Sequence, residues 1–474
     1  MITTRFRGLH VHLLGIGGAG VSALVPLLQR VGASVSGCDL HDAPVLARLR
    51  ARGVVCTLGH APAHLAGVDL VVHSAAVPAD HPELAAARER GLPVLTRGEC
   101  LVRLMEGSRT LAVAGSHGKT TTTWMAAHLL TESGLDPVVM VGGSVQALDG
   151  GGARAGTGSV FVAETDESDG SFAGVEPEVA IVTNLDHEHL RHYGSFAGLE
   201  DAFNAWLRRI PADGAAILPT AGLSPRVTDG LRCHIIRVGL DAGDWQAADL
   251  ELGPDGSRMH VIAGGRDLGE VRVAIPGAHM AHNALMACAA ARLLAPACDL
   301  AALASCERVR RRFTVHGQPA GIRVVEDYGH HPSEVRATIA AARLGGGRVH
   351  VLFQPHRYTR TADCFEAFTQ AFDQAHGVAI LPVYAASEQP IAGVDAADLA
   401  AVLRTRRHGL GEETVAYCAA PEAAISHLAG LAAPGDTILV LGAGDVGRLA
   451  PRLLEHFQLA PARESPGLIP TVKA

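Results

Sequence analysis

The chain has 474 residues, too many for one hydrophobic core, so two to four domains are expected. Apolar residues make up 48% and aromatics 4%, with 54 glycines, which is the composition of a globular α/β protein and excludes a disordered or fibrous chain. The net charge of −8 is modest and the longest basic run is Arg310–Arg312, so charge gives a nucleic-acid partner no support.

Nine scattered cysteines, none in a C-x-x-C pair, suggest neither a disulfide framework nor a cysteine zinc site. No apolar leader precedes the first strand and no 18-residue uncharged apolar run exists, so no membrane insertion and a cytoplasmic location are expected. From Leu9 the pattern is a buried strand, the turn Gly15-Ile16-Gly17-Gly18-Ala19-Gly20, a helix through Leu28, and a second strand ending at Asp39. Apolar runs at Val68–Val72 and Leu92–Leu95 continue the alternation, and strands alternating with helices imply a parallel, doubly wound sheet over residues 1–108.

A second domain, 109–312, opens on the strand Thr110–Ala114, with further strands at Ser159–Ala163 and Val179–Thr183. Between them Gly150-Gly151-Gly152 reads as a surface loop. Short strands and turns fill Asp213 to Pro276, and an Ala-rich helix covers Asn283–Leu294. A third α/β domain, 313–474, has strands at Ile322–Val325, Val349–Phe353, Val378–Leu381 and Thr437–Leu441, and a frayed tail after Glu464.

The strongest chemical signal is Gly115-Ser116-His117-Gly118-Lys119-Thr120-Thr121 between a buried strand and a helix start. Backbone N–H groups of such a loop bind phosphate oxygens, Lys119 reaches the β/γ-phosphates and the Thr120 hydroxyl can ligate Mg²⁺. Val113 stands where the full P-loop pattern has its first glycine. Gly15, Gly17 and Gly20 with Asp39 fit a dinucleotide-binding turn, although a structural tight turn reads the same way. The pattern recurs at Gly442–Gly447, which shows how unspecific it is. A triphosphate loop in the next domain argues that the first turn holds a different phosphorylated ligand. The acidic run Glu164–Asp169 at a strand end offers Mg²⁺ ligands or a solvated loop. Asp186-His187-Glu188-His189 offers metal ligands or a surface loop. Asp327–Pro332 and Gln354–Tyr358 place polar groups at strand ends, where α/β sheets bind ligands, or serve as capping loops.

Taken in order, these segments resemble the Mur ligases over nearly the whole chain, from Val11 to Asp445. Gly115–Thr121 matches the family's GT-x-GKT-T loop with Ser116 for the usual threonine, and Ala163–Phe172 resembles its AEADESDASF stretch. Val182–Asn184 with Asp186–His189 and His192–Gly194, Arg311–Phe313, Asp327–Pro332 and Pro355–Thr361 complete the series. The resemblance implies three domains: a Rossmann-like N-terminal domain, a P-loop-type central ATPase domain and a Rossmann-like C-terminal domain. It also implies ATP-dependent addition of L-alanine to the lactyl carboxylate of UDP-N-acetylmuramate through an acyl phosphate, a step of peptidoglycan synthesis, by a monomer or homodimer. Closure of the third domain over the second is expected to shield that acyl phosphate from water.

By the same resemblance, ATP is held by Gly115–Thr121, Asn283, Arg312 and Asp327. The UDP sugar is held by Gly15, Gly17, Gly18, Gly20, Ser36, Asp39 and Ser74, and alanine by Tyr328, His356 and Arg357. Thr120, Glu164 and His189 are the expected ligands of two Mg²⁺ ions, and Lys119, His189, His356 and Arg357 the catalytic set. The family's H-N-x-x-N adenine segment appears as His279-Met280-Ala281-His282-Asn283, and His73 stands beside Ser74 where many members have a second serine. Phe203 or Asn204 lies where sister ligases carry a carbamylated lysine, and that absence fits the alanine-adding branch. Pro355–Tyr358 disfavours the muropeptide-recycling branch, and no Asp-Asn-Pro-Arg segment marks the diaminopimelate-adding one. An NAD-dependent oxidoreductase would leave Lys119 without a role, and a non-catalytic nucleotide binder would not need Lys119, Thr120, Glu164 and His189 together.

Overall fold

The computed structural model describes residues 5–74, 77–168, 170–406 and 414–459, so Asp169 of the acidic run and the tail after Glu464 lie outside the described residues. Its strands form three sheets within a three-domain α/β fold, and the chain divides into two compact units. Unit one comprises residues 1–251, 257–274 and 279–310 and holds the first two sheets; unit two comprises 252–256, 275–278 and 311–474.

The first sheet contains β1 (His10–Leu14), β2 (Ser34–Asp39), β3 (Val55–Leu58), β4 (Leu70–His73) and β5 (Val94–Thr96). All its pairings are parallel, in the order β3-β2-β1-β4-β5. The direction of winding reverses at β1, so the ends of β1 and β4 flank a topological switch point, where such sheets bind ligands. The helix expected through Leu28 is two pieces, Ala19–Ser22 and Leu24–Arg30. The helix Arg97–Met105 starts with a capping box, in which Thr96 Oγ1 accepts from the Glu99 N–H and Glu99 accepts from the Thr96 N–H.

The second sheet holds β6 (Arg109–Ala114), β7 (Val138–Val145), β8 (Gly151–Ala155), β9 (Val160–Glu164), β10 (Val179–Val182), β11 (Ala215–Pro219), β12 (His234–Val238), β13 (Trp245–Gly253), β14 (Gly256–Ala263) and β15 (Arg266–Val273). They are ordered β15-β14-β13-β12-β11-β10-β6-β9-β7-β8. Of the three glycines expected as a loop, Gly150 lies in a turn, while Gly151 and Gly152 open β8, which pairs antiparallel with β7. Gly152 explains the difference, because a Cβ there would stand 2.7 Å from the Val141 carbonyl oxygen and 2.9 Å from that of Gly143. The core of the unit is continuous from Val11 and Leu13 through Ala112 and Phe161 to Phe203 and Trp206.

In unit two, β16 (Thr314–Gly317), β17 (Arg323–Asp327), β18 (Val349–Phe353), β19 (Gly377–Ile380), β20 (Val415–Tyr417) and β21 (Thr437–Leu441) are ordered β16-β17-β21-β18-β19-β20. The pairings are parallel except for β16, which joins β17 antiparallel at the edge. β16 and β20 are short and were not expected from periodicity.

Candidate active site

The loop Gly115–Gly118 leaves the buried end of β6 and enters the helix Lys119–Glu132. The chain after β10 fixes its shape. Asn184 accepts from the His117 N–H at 3.0 Å and its amide donates to the His117 carbonyl, as does the Thr183 hydroxyl at 2.6 Å. Ser116 accepts from the Asp186 N–H at 2.9 Å. Two glycines are required. Gly115 has φ +126° with Thr183 Oγ1 in the way of any added Cβ, and Gly118 has φ +83° with the Asn283 amide at 2.8 Å.

Lys119 lies inside this loop, its ammonium donating to the Gly115 carbonyl at 2.6 Å and to Glu167 Oε1 at 2.8 Å. Burial works against its charge, but the carboxylates of Glu167, Asp166 and Glu164 outweigh that and hold Lys119 protonated, above its ordinary value. Burial pushes Glu167 up to about 7, with Lys119 pulling the other way and Asp166 adding to the rise. In the sequence Glu167 is only one member of an acidic run; its pairing with Lys119 is tertiary and has no local signal.

Gly142 and Gly143 on β7 bring two expected metal ligands to one place. A Cβ on Gly142 would meet the Glu164 carboxylate at 2.6 Å, and one on Gly143 the Thr120 methyl at 3.0 Å. Glu164 also accepts the Gly142 N–H at 2.5 Å. His189 sits in a left-handed conformation at the start of a short helix, 4.0 Å from Glu188. His117 of the loop joins the same segment through Asp186 at 3.0 Å. Asn283 is buried against Gly118 and its amide donates to Met280 Sδ at 3.8 Å, while His282 is engaged with the Val238 carbonyl at 3.2 Å.

At the switch point of the first sheet, Asp39 Oδ2 accepts the Gly17 N–H at 2.8 Å. Gly15 (φ +79°) would place a Cβ 3.4 Å from that of Ser74, so the glycine turn, Asp39 and Ser74 are brought together. A Cβ at Gly20 would meet the Arg97 side chain at 2.9 Å, and the Arg97 guanidinium lies 3.6 Å from Asp166. Arg97 is a cation beside the turn that the sequence did not single out. Gly18 N-caps the helix Ala19–Ser22. Ser36 differs from expectation: it is buried on the other face of β2, its hydroxyl bound by His10 at 2.8 Å and His12 at 2.9 Å. The two-residue period of a strand puts Ser36 and Gly37 on opposite faces, and it is Gly37 that packs on Ile16 of the turn.

In unit two, Asp327 is buried and accepts from the N–H groups of Phe313 at 2.8 Å and Gly329 at 2.7 Å, so its oxygens fix two turns where a ribose contact was expected. Burial raises it, against the pull of Arg312. The Arg311 and Arg312 guanidiniums lie 4.9 and 5.2 Å from the centre of the Tyr328 ring. His356 stacks on Tyr384 and its Nδ1 accepts from Arg360 at 3.2 Å, which leaves Nε2 as the N–H donor. Burial, aided by the charges of His330, Arg360, Arg357 and Arg311, lowers His356 to about 3, so it is neutral. Arg357 follows it with φ +71°, its backbone N–H held by the Tyr384 carbonyl at 2.8 Å and its side chain exposed. The glycine turn after β21 is filled from inside the unit: the Arg311 guanidinium donates to the carbonyls of Gly442 at 2.6 Å and Gly444 at 3.1 Å.

Residues 10–109 match the family model described as Mur ligase family, catalytic domain; 113–291 match the Mur ligase middle domain, and 311–444 the Mur ligase, glutamate ligase domain. The UDP-N-acetylmuramate–L-alanine ligase of Solibacter usitatus is 42% identical over 462 residues, 96% of each chain. That of Sorangium cellulosum is 43% identical over 454 residues, covering 93% of this chain and 95% of the relative. Among solved structures, the UDP-N-acetylmuramate–alanine ligase MurC of Thermotoga maritima is similar with a TM-score of 0.77 at 27% identity, covering 95% of this chain and 99% of that one. The murein peptide ligase of Psychrobacter arcticus gives a TM-score of 0.69 at 25% identity, covering 96% and 100%.

Proposed function

This chain belongs to the Mur ligase family, and on that premise we propose that it joins L-alanine to the lactyl carboxylate of UDP-N-acetylmuramate, converting ATP to ADP and phosphate. The observation that carries the reading is the loop Gly115–Thr121, with the charged Lys119 ammonium fixed inside it. A carboxylate is a poor acyl donor, so the lactyl oxygen attacks the γ-phosphorus first and ADP leaves, giving an acyl phosphate. Loop N–H groups and Lys119 meet the charge on the transferring phosphoryl group. The alanine nitrogen then attacks the acyl carbon, phosphate departs and an amide remains.

Thr120 and Glu164 present hard oxygen donors of the kind Mg²⁺ prefers, and with His189 they would hold the two ions, which neutralise and align the phosphates when bound. Gly15, Gly17, Gly18, Gly20, Asp39 and Ser74 receive the UDP moiety, with Arg97 as an added cation for its diphosphate. Arg357 takes the alanine carboxylate through paired hydrogen bonds. His356, with its free N–H, donates to the same carboxylate and does not accept the amine proton. Tyr328 between Arg311 and Arg312 shapes that side, and Arg312 and Asn283 serve the nucleotide. Nine free cysteines, and the lack among the described residues of any helix long and apolar enough to cross a membrane, accord with work in a reducing cytoplasm on a peptidoglycan precursor.

The test is phosphate release from ATP, Mg²⁺ and UDP-N-acetylmuramate with separate acceptors: L-alanine, glycine, L-serine, D-glutamate and the tripeptide L-alanyl-γ-D-glutamyl-diaminopimelate. Turnover with L-alanine well above the rest is expected. Faster turnover with the tripeptide would assign the chain to peptide recycling.

A further inference from the structure

Beneath the first sheet, on the face opposite the glycine turn, four side chains from four separate segments converge. His12 comes from β1, Cys38 from β2, His64 from the turn after β3, and Glu83 from the first turn of the helix Pro82–Glu89. One donor atom from each lies within 4.8 Å of every other. His12, Cys38 and Glu83 are buried and His64 is mostly covered.

The hydrogen bonds around the cluster determine where its lone pairs point. His10 Nδ1 lies 3.0 Å from the Gly67 carbonyl and must donate to it, so His10 Nε2 is an acceptor. Ser36 then gives its hydroxyl proton to His10 Nε2 at 2.8 Å and accepts from His12 Nδ1–H at 2.9 Å. That relay leaves the lone pair of His12 on its inward-facing Nε2. A ligand imidazole that donates its other N–H to a fixed partner is the usual arrangement at a metal. The Ala61 N–H performs the same service for Glu83 Oε1 at 2.5 Å.

The spacings agree. Cys38 Sγ is 3.4 Å from His12 Nε2 and 3.2 Å from Glu83 Oε2, which is 3.6 Å from His12 Nε2; His64 Nδ1 is 2.9 Å from Glu83 Oε1. Zinc–nitrogen and zinc–sulfur bonds of about 2.0 and 2.3 Å place tetrahedral ligands roughly 3.3–3.7 Å apart. We propose that His12, Cys38, His64 and Glu83 form a closed, four-coordinate structural site for Zn²⁺ in the N-terminal domain. One thiolate and one carboxylate balance the dication, so no net charge is buried. Four protein ligands leave no open position, which makes the site a clamp between β1, β2 and the two segments beneath them, with no part in catalysis. Binding releases the thiol proton to solvent and moves the His64 proton to Nε2. Burial and the Glu83 charge keep the metal-free thiol well above its ordinary value, so the metal has to displace that proton. His60, whose Nδ1 touches Cys38 Sγ at 3.2 Å, stands outside the four.

The test uses the full-length chain, stripped with a chelator, dialysed and titrated with Zn²⁺, and separately with Co²⁺ as a spectroscopic probe. A single tightly held Zn²⁺ per chain, a thiolate-to-cobalt charge-transfer band and a rise in Tm with Zn²⁺ are expected. All three should vanish in Cys38→Ser and persist in Cys418→Ser. His64→Asn changes a partly exposed residue, so it keeps the test valid if Cys38→Ser fails to fold; its Zn²⁺ affinity should drop at least ~10-fold, the loss produced by removing even an outer partner. Folded wild-type chain that retains no Zn²⁺, or a cobalt band that survives Cys38→Ser, overturns the site and leaves a proton-linked hydrogen-bond cluster.

Discussion

The glycine turn after β1 and the loop after β6 use the same pattern of parallel strand, glycines and helix, and both belong to unit one. They differ in what fills them. The first turn is closed by a carboxylate, Asp39, which takes the Gly17 N–H, and its helix runs for only four residues. The second is braced from outside by Thr183 and Asn184, enters a helix of 14 residues, and encloses a lysine held charged by its neighbours. A third turn of the same spelling, Gly442–Gly447 in unit two, is occupied by the Arg311 guanidinium. Glycine spacing describes where backbone comes close. The side chain that arrives from elsewhere decides whether phosphate, carboxylate or guanidinium is accommodated.

The largest expected effect separates the second loop from the other two. Lys119→Ala should cut kcat at least ~100-fold, about 3 kcal/mol of transition-state stabilisation, with circular dichroism unchanged. Near-normal turnover in a folded variant would reduce the loop to a structural turn. The third turn should behave in the opposite way. Arg311→Ala removes charge-assisted bonds to Glu326 and three carbonyls and should cost roughly 1.5–3 kcal/mol of stability in unit two, read by denaturant midpoint. A variant as stable as wild type but unable to bind ATP would make that turn a second phosphate site.

Smaller effects sharpen the contrast between backbone and side-chain recognition. Arg357→Lys keeps the charge but loses the paired geometry, so KM for L-alanine should rise about tenfold while KM for ATP moves little. Equal rises in both would indicate a structural role. The smallest effect concerns Met280, whose sulfur receives the Asn283 amide that packs on Gly118. Met280→Asn supplies one stronger hydrogen bond, worth roughly 0.5–1.5 kcal/mol, and should raise the ATP-over-GTP preference in kcat/KM about threefold to tenfold. An unchanged ratio would leave Met280 as packing.

Much of this was legible in the sequence because it is local. β1, β6, β10, β17, β18 and β21 are apolar runs bounded by turn residues, and the loop at Gly115–Thr121 is contiguous. What stayed hidden depends on distant partners. Glu167 reaches Lys119 across 48 positions, and Arg97 reaches the first turn from a helix after β5. Gly151 and Gly152 read as a loop because glycine carries no periodicity, although close backbone approach makes them a strand. The family resemblance implies a nucleotide contact for Ser36, yet alternation along β2 turns it toward His10 and His12. Asp327 reads in the sequence as a ligand group, and its bonds to two backbone N–H groups, which also fix the turns around it, have no local signal.

The two glycine loops of unit one are proposed to hold different phosphorylated ligands. Calorimetric titration of Lys119→Ala and Asp39→Ala with a non-hydrolysable ATP analogue and with UDP-N-acetylmuramate tests this directly. Losing a hydrogen bond to a charged group, about 1.5–3 kcal/mol, should weaken the ATP analogue at least tenfold in Lys119→Ala and the UDP sugar at least tenfold in Asp39→Ala. The other ligand should be nearly unaffected in each variant. Loss of both ligands in either folded variant, or of the UDP sugar in Lys119→Ala alone, would contradict the assignment.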